Sequence, residues 1–203
     1  MLALVDKQLK VPNIYVIAGC NGAGKTTASF TILPEMLDCK EFVNADEIAK
    51  GLSPFQPESV SFHAGRIMIE RIDELLNSGV DFGFETTLTT LSYLNTIKLA
   101  KQKGYTINLL YFWLNDVNLA IERVKTRVSE GGHNIPEETI RRRYSRGIYN
   151  LTNKFTNLCD YWIVINNSSR PFTFVAEGQG LLELKVHDTL VWQQIKNQSD
   201  EEK

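Results

Sequence analysis

Gly19-Cys20-Asn21-Gly22-Ala23-Gly24-Lys25-Thr26 is the stretch whose reading decides the fold. It fits G-x-x-x-x-G-K-[ST], a phosphate-cradling loop. Before it, Ile14-Tyr15-Val16-Ile17-Ala18 is apolar and β-rich, as a buried strand is. After it, Thr26 to Leu37 runs without a breaker until Pro34 and reads as a helix. Strand, glycine loop and helix are the context in which such a loop works. Glycines let consecutive N–H groups turn inward with no Cβ in the way. The following helix adds unsatisfied N–H groups and the positive end of its dipole. Gly19, Asn21, Gly22, Ala23, Gly24, Lys25, Thr26 and Thr27 are therefore the expected nucleotide-binding residues. Lys25 would reach the β- and γ-phosphates, and the Thr26 hydroxyl would ligate Mg²⁺. Cys20 reads as a small residue at a crowded position.

Outward from the loop, strands and helices alternate. Glu41 to Ala45 reads as a strand ending at Asp46, and Gly51 to Pro57 as a loop. Glu58 to Asn77 carries an apolar stripe at three- and four-residue spacing and reads as a helix. Val80 to Phe84 is a strand running into Glu85-Thr86-Thr87, and Thr90 to Lys103 a helix. Tyr105 to Leu114 is the strongest strand signal. Val117 to Val128 is helical, Gly131-Gly132 breaks it, and Pro136 opens another helix whose buried face runs to Phe155. Tyr161 to Ile165 is a fifth strand. Phe172–Ala176 and Leu181–Val186 read as a β-hairpin, followed by a helix from Asp188 to Ile195 and a frayed tail from Ser199. The expected fold is α/β, a three-layer P-loop arrangement. It has a mostly parallel five-stranded sheet, helices on both faces, and a C-terminal hairpin plus helix. One domain spans residues 1–203, with a core at 12–170, a lid at 115–145 and the hairpin and helix at 171–203.

Composition narrows the function. The net charge is −2 and the sequence pI about 6.0, so no global basic field invites nucleic acid. No run of 18 apolar residues and no leader pattern is visible, so the expected compartment is the cytoplasm, with no membrane partner. The three cysteines, Cys20, Cys39 and Cys159, are too few and too scattered for a disulfide framework or a zinc site.

Ligands of open α/β sheets collect at the carboxyl ends of strands. That rule brings three scattered features together: the glycine loop, Asp46 and Glu85. Asp46 reads either as the general base that accepts a proton from an attacking hydroxyl, or as a helix N-cap before Glu47-Ile48-Ala49. Glu85 reads as an acid that holds substrate or Mg²⁺-bound water, or as a solvated loop carboxylate. Thr86, Thr87, Thr89 and Thr90 are substrate partners or caps. Arg123 and Arg127 share a helix face. Beyond Gly132-His133 lie Arg141, Arg142, Arg143 and Arg146. Two basic helices around a glycine break read as a lid that closes on the phosphoryl group, with two or three of the six arginines catalytic. Arg123, Arg127 and Arg142 are the selected candidates, a surface salt bridge being the alternative for each, and His133 reads as a loop hydrogen-bonder ahead of an acid or base. Asn167 and Arg170, in the polar loop after the fifth strand, read either as contacts to a nucleotide base or as part of an ordinary surface loop.

At this point the chain resembles a known family. Ala18 to Thr27, Val43 to Ala49, Phe84 to Thr87 and the Arg123 to Tyr144 stretch are similar in order to the zeta-toxin family, most closely its chromosomal branch of small ATPases or kinases. The resemblance covers roughly residues 12–170. It implies a P-loop kinase fold and ATP with Mg²⁺. The implied reaction phosphorylates the 3′-hydroxyl of the amino sugar of UDP-N-acetylglucosamine, and the implied partner is a small antitoxin over the nucleotide site. By motif match, it implies Lys25 and Thr26 as phosphate and Mg²⁺ residues, Asp46 as the base, Glu85 as the acid that positions the sugar, Thr87 as a substrate contact and Arg123 as the first lid arginine. Three positions depart. The family's Asp-Asn-Asp is Asn44-Ala45-Asp46 here. Its glycine and arginine near the strand-end acid are Thr86 and Leu88. Its second lid arginine falls on His133, leaving Arg127, Arg141 or Arg142 to substitute.

The expected activity is therefore transfer of the γ-phosphate of ATP to a small molecule's hydroxyl, a nucleotide sugar first. Two alternatives stand beside it: a kinase of another nucleoside, nucleic-acid end or antibiotic, and an ATP-binding switch that acts through a partner protein.

Overall fold

The computed structural model describes residues 11–132 and 134–200. The lead over residues 1–10, His133 and the tail end at 201–203 lie outside them. The sheet is built around β1, Asn13–Gly19, buried at every position after the first. An apolar run of this kind suits a central parallel strand covered on both faces. Its neighbours are β3 (Phe82–Thr86) and β4 (Thr106–Trp113), with Val16 opposite Phe84 on one side and Leu109 on the other. The order is β2-β3-β1-β4-β5-β6-β7, where β2 is Glu41–Val43, β5 Tyr161–Asn166, β6 Thr173–Gln179 and β7 Leu182–Val186.

The sheet has seven strands rather than the expected five. The first five are parallel. The hairpin is no appendage: β6 pairs antiparallel with β5, and β7 with β6. A lone hairpin is marginal in water, and β5 offers it an open edge. Joining that edge buries Val175 and Ala176. Trp162 of β5 stacks on Trp192 with ring centroids 5.6 Å apart and donates its indole N–H to the Gly180 carbonyl at 2.9 Å.

The helices are α1 (Lys25–Thr31), α2 (Ala45–Leu52), α3 (Ser61–Ser78), α4 (Ser92–Gln102), α5 (Val117–Ser129), α6 (Glu137–Asn150) and α7 (Thr189–Asp200). The helix expected as far as Leu37 narrows to α1 plus a wide turn over Ile32–Met36. Pro34 lies in that turn and has no N–H for a regular ladder. α7 outruns its expected end at Ile195: Ser199 is buried and bonded to Thr152 and Asn153 at 2.6 and 2.7 Å. Among the described residues no helix is long and apolar enough to cross a membrane.

From β1 the chain crosses to β2 at one edge, and from β3 it crosses to β4 on the other side of β1. The carboxyl ends of β1 and β3 are therefore a topological switch point, where open α/β sheets bind ligands. The glycine loop leaves one of these ends and Glu85 stands at the other.

Candidate active site

The loop is shaped by close backbone approach. Gly22 and Gly24 have φ of 77° and 82°, a region that favours glycine. A Cβ on Gly22 would lie 2.7 Å from the Ala120 carbonyl oxygen, and one on Gly24 2.5 Å from Asn167 Nδ2. That same Asn167 amide donates to the Ala23 carbonyl at 2.8 Å, so the polar loop after β5 buttresses the cradle. Arg170, three residues on, is exposed, and Thr27 is an exposed residue of α1. Burial pushes the Cys20 thiol up to about 11, which leaves it neutral at ordinary pH.

A hydrogen-bonded hub joins the loop to β3. The Glu85 carboxylate accepts the Thr26 hydroxyl at 2.7 Å and the Asn44 amide at 2.8 Å on one oxygen, and pairs with the Lys25 ammonium at 3.3 Å on the other. Lys25 also donates to the Cys20 carbonyl at 2.9 Å. Both charges are nearly enclosed, with side-chain exposures of 6% for Lys25 and 11% for Glu85. Burial at this level requires the mutual pairing that is seen.

Asn44 is the residue that sequence reasoning missed. The sequence pattern places it inside a strand over Glu41 to Ala45, whereas β2 ends at Val43. Its Oδ1 accepts from the N–H groups of Asp46 and Glu47 at 2.8 and 3.3 Å, so Asn44 caps α2. The signal was available, because Asn before Ala-Asp-Glu is a helix start. The consequence falls on Asp46. The N-cap reading of Asp46 is excluded, and its carboxylate stands in the first turn of α2 with no capping duty.

Asp46 and Glu85 line one cavity of about 620 Å³ beside the loop. Thr86, Thr87 and Arg143 line it too. Thr86 Oγ1 accepts from the Leu88 N–H at 3.1 Å, and the Thr87 and Thr89 hydroxyls bond to each other at 2.8 Å. A smaller cavity of about 200 Å³ shares Asp46 and Arg143 and reaches Pro136.

Two arginines reach the loop. Arg123 donates to the Ser168 carbonyl at 3.1 Å and to the Gly22 carbonyl at 3.4 Å. Arg143 donates to Asn21 Oδ1 at 3.1 Å. Burial lowers the proton affinity of Arg143, and the Asp46 charge opposes that. Arg142, the sequence's choice on this helix, is exposed. Helical phase separates the two: Ile140, Tyr144 and Gly147 mark the buried face of α6, and Arg143 falls on it. Arg141 bonds Asn118 at 3.0 Å, Arg146 lies over the Tyr149 ring, and Arg127 packs against Gly132.

The donor set suits the expected ligands. A threonine hydroxyl beside a carboxylate is a hard oxygen pair of the kind Mg²⁺ prefers. Glycines with backbone and amide groups at their Cβ positions form the tight cradle a triphosphate needs.

A family model described as zeta toxin matches residues 3–170. An uncharacterized protein of Haemophilus influenzae is 34% identical over 128 residues, 62% of this chain and 88% of that one. Among solved structures, a chain of the AvrRxo1-ORF1:-ORF2 complex with ATP superposes with a TM-score of 0.71 at 16% identity, over 91% of this chain and 63% of that chain. This chain thus spans less than two thirds of that one's length. A chain from the PezAT toxin-antitoxin system of Streptococcus pneumoniae superposes with a TM-score of 0.64 at 17% identity, over 95% of this chain and 87% of that one. The superpositions show a shared fold, the P-loop kinase fold that the strand order and glycine loop define here. With its loop, Asn44-Ala45-Asp46 and Glu85 all inside the matched span, the chain belongs to the zeta toxin family.

Proposed function

We propose that the chain is an ATP- and Mg²⁺-dependent phosphotransferase that moves a γ-phosphoryl group to a small molecule's hydroxyl. The 3′-hydroxyl of the amino sugar of UDP-N-acetylglucosamine is the first acceptor to test. The observation that supports this most is the placement of Asp46 on the wall of a cavity that Glu85 also lines, with Glu85 bonded to Thr26 and paired with Lys25 of the loop.

In this reading Asp46 accepts the acceptor's proton as its oxygen bonds to the γ-phosphorus. The bond from that phosphorus to the β–γ bridging oxygen breaks, and ADP leaves. Lys25 shifts from Glu85 and the Cys20 carbonyl to the phosphates. Arg123 and Arg143 face the charge that spreads over the transferred group. Thr87 and Glu85 position the acceptor. Thr26, with Glu85 close by, would hold Mg²⁺, which would supply neutralisation of the phosphate charge. Residues 115–145 act as the lid. An antitoxin over the nucleotide site, a cytoplasmic location and no nucleic-acid partner complete the proposal.

The test is direct. The purified chain with ATP, Mg²⁺ and UDP-N-acetylglucosamine should yield a product one phosphoryl group heavier by mass spectrometry. Asp46→Asn should slow transfer by roughly 10²–10⁴-fold with ATP affinity kept. Transfer at the wild-type rate in Asp46→Asn would remove the base from the mechanism. ADP release that no metabolite accelerates would favour the switch reading instead.

A further inference from the structure

Two local costs meet where α6 packs against the loop that follows β3. Leu88 has φ of 56°, a left-handed conformation that residues other than glycine rarely adopt, and its side chain is fully buried. Asn150, the last residue of α6, is 1% exposed and donates its amide to the Leu88 carbonyl at 2.6 Å. Its other polar atom, Oδ1, is buried and accepts no hydrogen bond among the described residues. A half-satisfied amide is a costlier core group than a leucine of similar size. Costs of this kind persist where the surroundings enforce a conformation that function needs.

Arg143, Gly147 and Asn150 fall at i, i+4 and i+7 on one face of α6. Arg143 donates to Asn21 of the glycine loop. Gly147 lets the helix come close to the other loop, since a Cβ there would lie 2.8 Å from the Thr87 carbonyl oxygen. One helix face therefore touches the glycine loop at Arg143 and the loop after β3 at Gly147 and Asn150.

We propose that Asn150 is a positioning residue for phosphoryl transfer. It lines neither cavity and acts through Leu88. By holding the Leu88 carbonyl it keeps the loop in its left-handed turn and fastens it to the helix that carries Arg143. Thr87 on the acceptor side and Arg143 on the donor side are then set relative to each other by one rigid element. The inference rests on the phosphotransferase reading of this site.

The test replaces Asn150 by leucine, which fills a similar space and cannot donate. With ATP, Mg²⁺ and UDP-N-acetylglucosamine, kcat/KM for the acceptor should fall by roughly 10- to 10²-fold, while KM for ATP stays within about twofold. In a Thr87→Val background, Asn150→Leu should cost less than about twofold more. A residue with a structural role alone would cost its full factor in either background. Hydrogen exchange of the amides of residues 86–91 should quicken by roughly tenfold, with those of β1 unchanged. Asn150→Ser, too short to reach Leu88, carries the same readouts if the leucine variant does not fold. An unchanged kcat/KM for the acceptor, or full additivity with Thr87→Val, overturns the positioning role. If the wild type transfers no phosphoryl group, the phosphotransferase reading falls and exchange alone judges the contact. Unchanged protection of residues 86–91 in the variant would then overturn the hold of Asn150 on the loop.

Discussion

The Thr26 hydroxyl donates to the Glu85 carboxylate at 2.7 Å, across 59 residues of sequence. This bond ties the end of the glycine loop to the end of β3. The same carboxylate is the counter-charge of Lys25 and the acceptor for the Asn44 amide. One side chain thus holds the loop's lysine and the cap of α2 in register.

Glu85→Gln should therefore destabilise the chain by about 1–3 kcal/mol, since it leaves the enclosed Lys25 ammonium with a carbonyl and no counter-charge. ATP should shrink that deficit, because its phosphates take over the role of the carboxylate. Urea unfolding of both proteins, with and without saturating ATP, measures the difference. A deficit that ATP leaves unchanged would mean that Lys25 stays on residue 85 when nucleotide binds.

Arg143 and Arg142 are adjacent in sequence and face different surroundings. Arg143→Ala should lower kcat by roughly 10²-fold or more, because it removes a guanidinium bonded to the loop and close to Asp46. Arg142→Ala, at an exposed position, should stay within about twofold. Steady-state rates with UDP-N-acetylglucosamine as the acceptor decide between them. Equal effects would place the catalytic arginine by something other than helix phase.

These two residues show how far the sequence could be read. The glycine loop names its own fold, because the motif's spacing and its flanking strand and helix all follow from phosphate geometry. The alternation of elements then places Asp46 and Glu85 near the loop. What the sequence concealed is contact between distant segments. The capping of α2 by Asn44 is legible locally, but nothing local tells that the same side chain bonds Glu85, or that Arg143 reaches Asn21. The hairpin was legible as two strands, yet its partner is decided by the open edge of β5 and the Trp162–Trp192 stack, 30 residues apart in sequence by their numbers.

Alkaline pH should destabilise the fold. Burial pushes the Cys20 thiol up to about 11 and the Cys159 thiol up to about 12. In the unfolded chain both ionise at ordinary thiol values. Between those values and about 11 the native state binds more protons, so stability is present at lower pH and falls as pH rises. The expected slope from the two thiols is on the order of 2 kcal/mol per pH unit from about pH 9 upward. Urea titrations at pH 8, 9 and 10 give it, and Cys159→Ala should flatten it relative to its own value at pH 8. A flat profile in the wild type would mean that the thiols are not held out of water.

Gly178 gives the sharpest test that the hairpin belongs to the sheet. A Cβ there would lie 2.3 Å from both the Leu182 carbonyl oxygen and Trp162 Cζ2. The first is backbone, and the second is the edge of an indole already fixed by its stack on Trp192 and its bond to Gly180. Neither can yield without moving a strand. Gly178→Ala should therefore cost roughly 2–4 kcal/mol. Gly180, with φ of 53° and no heavy atom nearer than 4.0 Å to an added Cβ, is the control. Gly180→Asn should cost under about 1 kcal/mol, since Asn tolerates that backbone region. Calorimetry distinguishes the two architectures. If the seven strands are one sheet, Gly178→Ala lowers the single transition of the whole chain. If the hairpin and α7 were a separate unit, a small early transition would move and the main one would stay in place.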